Sequence, residues 1–84
     1  MHQIQVKLFA HLTEFMPQPG VKGAAPYDCA KDSTVNSVLR ELHVPLEHCH
    51  LVLVNGLFIH PEQRDIHSLA KGDTLAVWPP IAGG

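Results

Sequence analysis

The residues best suited to chemistry are the last six, Pro79-Pro80-Ile81-Ala82-Gly83-Gly84. Two prolines fix φ and donate no backbone hydrogen bond, so a strand ends before them and the chain continues extended. At ~3.3 Å per residue this segment reaches at most about 20 Å. Gly83 and Gly84 have no Cβ, so such an end threads a channel too narrow for any side chain. A terminal carboxylate, with a pKa of about 3.5, is ionised at neutral pH and is a poor electrophile. Adenylation by ATP turns it into a good one. A sulfur nucleophile then displaces AMP and leaves a thiocarboxylate, and a lysine amine attacking the same carbon leaves an isopeptide bond. A bare Gly-Gly is weak evidence; Pro-Pro-x-x-Gly-Gly directly after a final strand is much more specific.

The other reactive side chains form no comparable pattern. Seven histidines are scattered, and His48-Cys49-His50 is the one tight group. In a strand His48 and His50 would share a face and Cys49 the opposite one. A structural zinc site needs four converging ligands, and no second pair stands at ligand spacing, so no metal is expected. Cys29 and Cys49 make neither a Cys-x-x-Cys pair nor a disulfide framework, and are expected as free thiols packed like small hydrophobes. No acid, base and nucleophile constellation appears, so the chain is not expected to be an enzyme by itself.

Size and charge narrow the classes further. Eighty-four residues make one small domain, with a modest core and little surface for a deep pocket. The 45% hydrophobic and 17% charged composition fits a packed globule. A net charge of −2 without a Lys/Arg cluster argues against a nucleic-acid surface. The longest aliphatic run, Leu51 to Val54, is too short to cross a membrane, and the opening residues lack a signal-peptide pattern, so a cytoplasmic location is expected.

The elements that must position the tail follow from periodicity. Residues 3 to 9 alternate, placing Ile4, Val6 and Leu8 on one face of a strand. Residues 10 to 15 make a short helical turn ended by Pro17, and 17 to 26 read as an irregular loop. Tyr27 to Ala30 pairs with the first strand. Ser33 or Thr34 caps a helix whose stripe is Val35, Val38, Leu39 and Leu42, with Asn36, Ser37, Arg40 and Glu41 on the polar side. Leu51 to Val54 is a buried strand, Asn55-Gly56 a type I′ hairpin, and Leu57 to Ile59 the return strand. Pro61 to Leu69 is a short helix or loop. Gly72-Asp73 turns into the last strand, Thr74 to Trp78. The result is an α+β fold: a mixed sheet of four or five strands around one helix, with the first and last strands together at its centre. Residues 1–78 form the domain and 79–84 the extended tail.

At this point the sequence resembles the ThiS/MoaD sulfur carriers, which have the ubiquitin-like β-grasp fold. The matching residues are Lys7-Leu8-Phe9-Ala10, Thr34-Val35, Val54-Asn55-Gly56, Lys71-Gly72-Asp73-Thr74-Leu75 and the tail. Residues 11 to 32 lie outside the match. The resemblance implies that Gly84 accepts AMP and then sulfur, and that Gly83 is its obligatory small neighbour. It implies that Pro79, Pro80, Ile81 and Ala82 lie in a partner's groove. It implies no bound cofactor, with ATP consumed by an E1-like adenylating enzyme, and a cysteine desulfurase or rhodanese-type protein as sulfur source. Pro79-Pro80 is more similar to the molybdopterin branch, where the large subunit of molybdopterin synthase accepts the tail. The long stretch between Asn55 and Gly72 is more similar to the thiamine branch, where the acceptor is a thiazole synthase. A ubiquitin-like modifier and an inert β-grasp interaction module remain the rival classes.

Three aromatic residues complete the candidate site. Leu75 and Val77 face the helix, so Trp78 faces away, close to the tail. Phe9 has the same parity at the end of the first strand. With Phe58 they form either an exposed docking patch or a cap on the open sheet face.

Overall fold

The computed structural model describes residues 1–17 and 23–80. Residues 18–22 of the Pro/Gly-rich loop, and Ile81, Ala82, Gly83 and Gly84, lie outside the described residues. Five strands and one α-helix follow one another: β1 (His2–Leu8), β2 (Ala25–Cys29), α1 (Val35–Glu41), β3 (Leu51–Val54), β4 (Leu57–Phe58) and β5 (Thr74–Trp78). Short 3₁₀ turns lie at Ala10–Phe15, Leu46–His48 and Pro61–Gln63.

The sheet order is β2-β1-β5-β3-β4. β1 and β5 run parallel, and every other neighbouring pair is antiparallel. The β1 alternation buries Ile4, Val6 and Leu8, and the β5 alternation buries Leu75 and Val77. Val52 and Val54 extend that face, and Val35, Val38 and Leu39 of α1 close over it. Leu12 and Leu69 fill the ends of the core from the connecting segments. Pro26 is tolerated in β2 because β2 is an edge strand with a free side.

Both ends of α1 are closed by short-range hydrogen bonds. The Thr34 hydroxyl accepts from the Ser37 backbone N–H, and the Ser37 hydroxyl oxygen accepts from the Thr34 N–H. Serine here replaces the more usual acidic partner of a capping box. At the other end His43 takes φ +66°, and the Val44 N–H bonds the Leu39 carbonyl. This is a Schellman ending, a full turn before Pro45 would have been needed as a stop. The exposed His43 adopts a left-handed conformation that glycine adopts at less cost. His43→Gly is therefore expected to stabilise the fold by about 1 kcal/mol, read as a melting temperature a few degrees higher.

Asn36 departs from the expected polar face: it is buried. The segment after β4 folds back over this side of α1. The Asn36 N–H bonds the Arg64 carbonyl, and its side-chain amide donates to Asp65. Asp65 also accepts from Arg40, and these two donors hold its carboxyl below the usual range.

Tyr27 ties the edge strand to the helix. Its ring packs on the core, and its hydroxyl donates to Glu41. Burial first, then the hydrogen bond to Glu41, pushes the phenol up to about 12. A raised folded-state value favours the neutral phenol. The stability it adds is complete below pH ~10 and is lost as pH rises from there through about 12. Ultraviolet titration should find the Tyr27 midpoint near 12, and Glu41→Gln should lower it.

Candidate functional site: the root of the tail

β5 is an inner strand, paired with β1 as far as Val77 on one side and with β3 as far as Trp78 on the other. The Trp78 carbonyl accepts from the His50 N–H, and the Val77 carbonyl accepts from the Phe9 N–H. The chain thus reaches Pro79 from a strand held on both edges. Pro79 is buried and Pro80 is exposed, so the departure from the domain falls between the two prolines. The root is a fixed point.

An apolar groove of about 440 Å³ borders it, lined by Ala10, His11, His50, Leu51, Trp78, Pro79 and Pro80. Trp78, in its wall, stacks almost parallel on Phe9, 2° apart, with ring centroids at 4.3 Å. The parity argument therefore holds for both: they leave the core face and meet on the other. The pairing Leu51↔Trp78, Leu53↔Ala76 and Leu53↔Phe58 puts these residues on one outer face. Its half towards β1 carries Gln3, Gln5 and Lys7 instead. Phe58 stands apart from the stacked pair. It is 44% exposed on β4, edge-on to His60 at 4.8 Å, with the Arg64 guanidinium 5.8 Å from its ring. The open face is thus uncovered at Phe58 and partly self-covered at Phe9–Trp78.

Two loosely matching sequence motifs meet behind β5. Asn55 takes φ +52° and Gly56 φ +83°, as a type I′ hairpin needs. The Asn55 carboxamide donates to Asp73 and accepts from the Thr74 N–H, both at 2.9 Å. The other Asp73 oxygen accepts from the Ala70 N–H. Val54-Asn55-Gly56 and Gly72-Asp73-Thr74 are therefore two halves of one clasp, which fixes where β5 begins.

Arg64 was invisible to periodicity and matters more than most core positions. It is 5% exposed, and its guanidinium donates to the carbonyls of Ile59, Cys49 and His50 at 2.9, 2.8 and 3.3 Å. Burial lowers its pKa. It replaces strand pairing just before β3 begins and just after β4 ends, and so supports the residues leading into the groove.

The His48-Cys49-His50 segment is not a strand. His48 closes a 3₁₀ turn, Cys49 is buried, and His48 and His50 are exposed. Both cysteines are free, and burial pushes both thiols up, which disfavours the reactive thiolate. Among the described residues no group of three or more His, Cys, Asp or Glu side chains converges as a metal site. No helix among them is long and apolar enough to cross a membrane.

The family profile described as Mut7-C ubiquitin matches residues 1–82, nearly the entire chain. The chain belongs to the Mut7-C ubiquitin family. Solved structures agree with that placement. The HVO 2177 protein of Haloferax volcanii is 25% identical over 99% of this chain and 87% of its own, with a TM-score of 0.73. SAMP1 from Haloferax volcanii is 29% identical over 98% of this chain and 99% of its own, with a TM-score of 0.67. A putative molybdopterin converting factor subunit 1 from Pyrococcus furiosus is 16% identical over 96% of this chain and 100% of its own, with a TM-score of 0.67, a likeness of fold alone. None of the curated proteins matches the sequence significantly. This Mut7-C ubiquitin protein has the β-grasp fold of small ubiquitin-like modifiers and MoaD-like proteins, as its resemblance to the ThiS/MoaD family implied.

Proposed function

We propose that this Mut7-C ubiquitin protein is a cytoplasmic sulfur carrier whose reactive group is the Gly84 carboxylate. The observation that carries the reading is the inner strand β5, paired on both sides and followed in the sequence by Pro79-Pro80-Ile81-Ala82-Gly83-Gly84. An E1-like enzyme binds ATP and the tail together. A Gly84 carboxylate oxygen attacks the α-phosphorus, pyrophosphate leaves, and an acyl adenylate forms. A persulfide sulfur from a desulfurase or rhodanese-type donor then attacks the acyl carbon, and AMP leaves. A thiol cleaves the resulting S–S bond, giving a thiocarboxylate and a disulfide. The chain itself contributes no acid or base to these steps; it contributes two terminal glycines without Cβ atoms, attached to a strand paired on both sides. Pro79-Pro80 favours molybdopterin formation as the sulfur's destination, with the large subunit of a molybdopterin synthase as acceptor; thiazole synthase is the alternative.

A second reading is favoured by the likeness to SAMP1, a small archaeal modifier protein, at 29% and 27% identity in its two Haloferax volcanii structures. There the same adenylate ends as an isopeptide bond to a lysine of a target protein. Intact-protein mass spectrometry separates the outcomes. The chain is incubated with an E1-like enzyme, ATP and a persulfide donor, beside a Gly84 deletion. An oxygen-to-sulfur mass gain confined to the C-terminal peptide supports the carrier. High-mass conjugates on a denaturing gel support the modifier. No change with several such enzymes leaves an interaction module with an inert tail.

A further inference from the structure

One residue lining the groove, His11, pairs with a second histidine in a way the tail reaction does not use. His11, in the 3₁₀ turn after β1, and His48, at the end of the turn before β3, are 37 positions apart and both exposed. The His11 Nε2 and His48 Nδ1 atoms lie 3.4 Å apart. The rings meet edge to face at 81°, with centroids at 5.3 Å, so neither stacks on the other. Hydrogen bonds from ring N–H groups cluster near ~2.9 Å, and 3.4 Å lies beyond their usual range. Two imidazole nitrogens bound at ~2.0–2.1 Å to one tetrahedral cation must stand ~3.4 Å apart. The observed separation is the bite of a chelate.

We propose that His11 and His48 form a two-imidazole site for a divalent transition cation, of the zinc, nickel or cupric class that imidazole suits. Each ring presents a lone pair to the cation and keeps its proton on the other nitrogen, Nδ1 of His11 and Nε2 of His48. No net proton is released from the neutral pair. Among the described residues no third protein ligand converges there, so water or a partner's side chain takes the remaining positions. Among them the single ion pair is Arg40–Asp65, so no carboxylate lies within ion-pair distance of either imidazole to compete as a proton or metal partner. His11 also lines the groove, so the bound cation would set a positive charge beside Pro79 and Pro80. It would also link the two turns that flank the root. This site stands independently of any reaction at Gly84.

Isothermal titration of the full chain with zinc chloride, in a non-coordinating buffer at neutral pH, tests it. One saturable site per chain is expected. His11→Asn and His48→Asn should each weaken it at least about tenfold, while His43→Asn and His60→Asn change it little. Because His11 and His48 are exposed, these variants should keep the wild-type melting temperature without metal. Zinc should raise that temperature in the wild type and not in either variant. Absence of a saturable site overturns the proposal, as does equal weakening by the His43 or His60 variants, or full binding after His48→Asn.

Discussion

Replacing Arg64 by methionine is expected to destabilise the fold by about 3 kcal/mol, against ~1 kcal/mol for a typical substitution. Methionine retains much of the length and the apolar packing, so the loss isolates the guanidinium. Three backbone carbonyls, of Ile59, Cys49 and His50, would lose their charged donor together. A hydrogen bond to a charged group contributes about 1.5–3 kcal/mol, and a buried acceptor left unpaired costs about 1–3 kcal/mol. The guanidinium's own desolvation offsets part of that sum. In a domain of this size each kcal/mol moves the melting temperature by about 4–8 °C, so a fall of at least about 12 °C is expected. Urea unfolding should show a lower midpoint with an unchanged slope. Arg64→Lys should recover only part of the loss, because one ammonium does not reproduce a planar fork. A methionine variant as stable as the wild type would mean that water satisfies the three carbonyls unaided.

The contrast between Arg64 and β5 explains what was legible in the sequence. Thr74 to Trp78 alternates with period two, and its bounds match the observed strand residue for residue. The α1 stripe and the Asn55-Gly56 turn were equally plain, because each signal lies within a few consecutive residues. Arg64 and Asn36 could not be read that way. Their burial depends on how the irregular segment from Ile59 to Lys71 folds over α1, and that path has no periodicity. His43 hid the end of α1 for a related reason: its sequence lacks the glycine that usually marks a left-handed ending. At the site, parity predicted that Phe9 and Trp78 share the outer face, but not that they stack. The pairing of His11 with His48 brings together two turns 37 positions apart, and sequence spacing carries no trace of it.

The tail makes the sharper functional demand. Gly83→Val is expected to cut the rate of adenylation at low substrate at least about a hundredfold, an activation cost of about 2.7 kcal/mol. Deleting Gly84 is expected to abolish loading altogether. The physical reason is width: an adenylating site must bring a backbone carboxylate to the α-phosphorus, and a β-branched side chain next to it widens the chain and stiffens it. Neither change alters a residue of β1 to β5 or of the clasp at Asn55 and Asp73, so the melting temperature should stay within a degree or two. Trp78→Ala provides the useful comparison. It removes the ring stacked on Phe9 and opens the wall of the groove, so it acts on the rigid root rather than on the reacting end. Its defect should appear mainly as a higher KM for this protein as the adenylating enzyme's substrate, with kcat largely kept, because the terminal glycines still fit once bound. A Gly83→Val chain that loads at the wild-type rate would show that the narrow end is not what the partner reads, and would move the recognition to the stacked pair and the groove beside it.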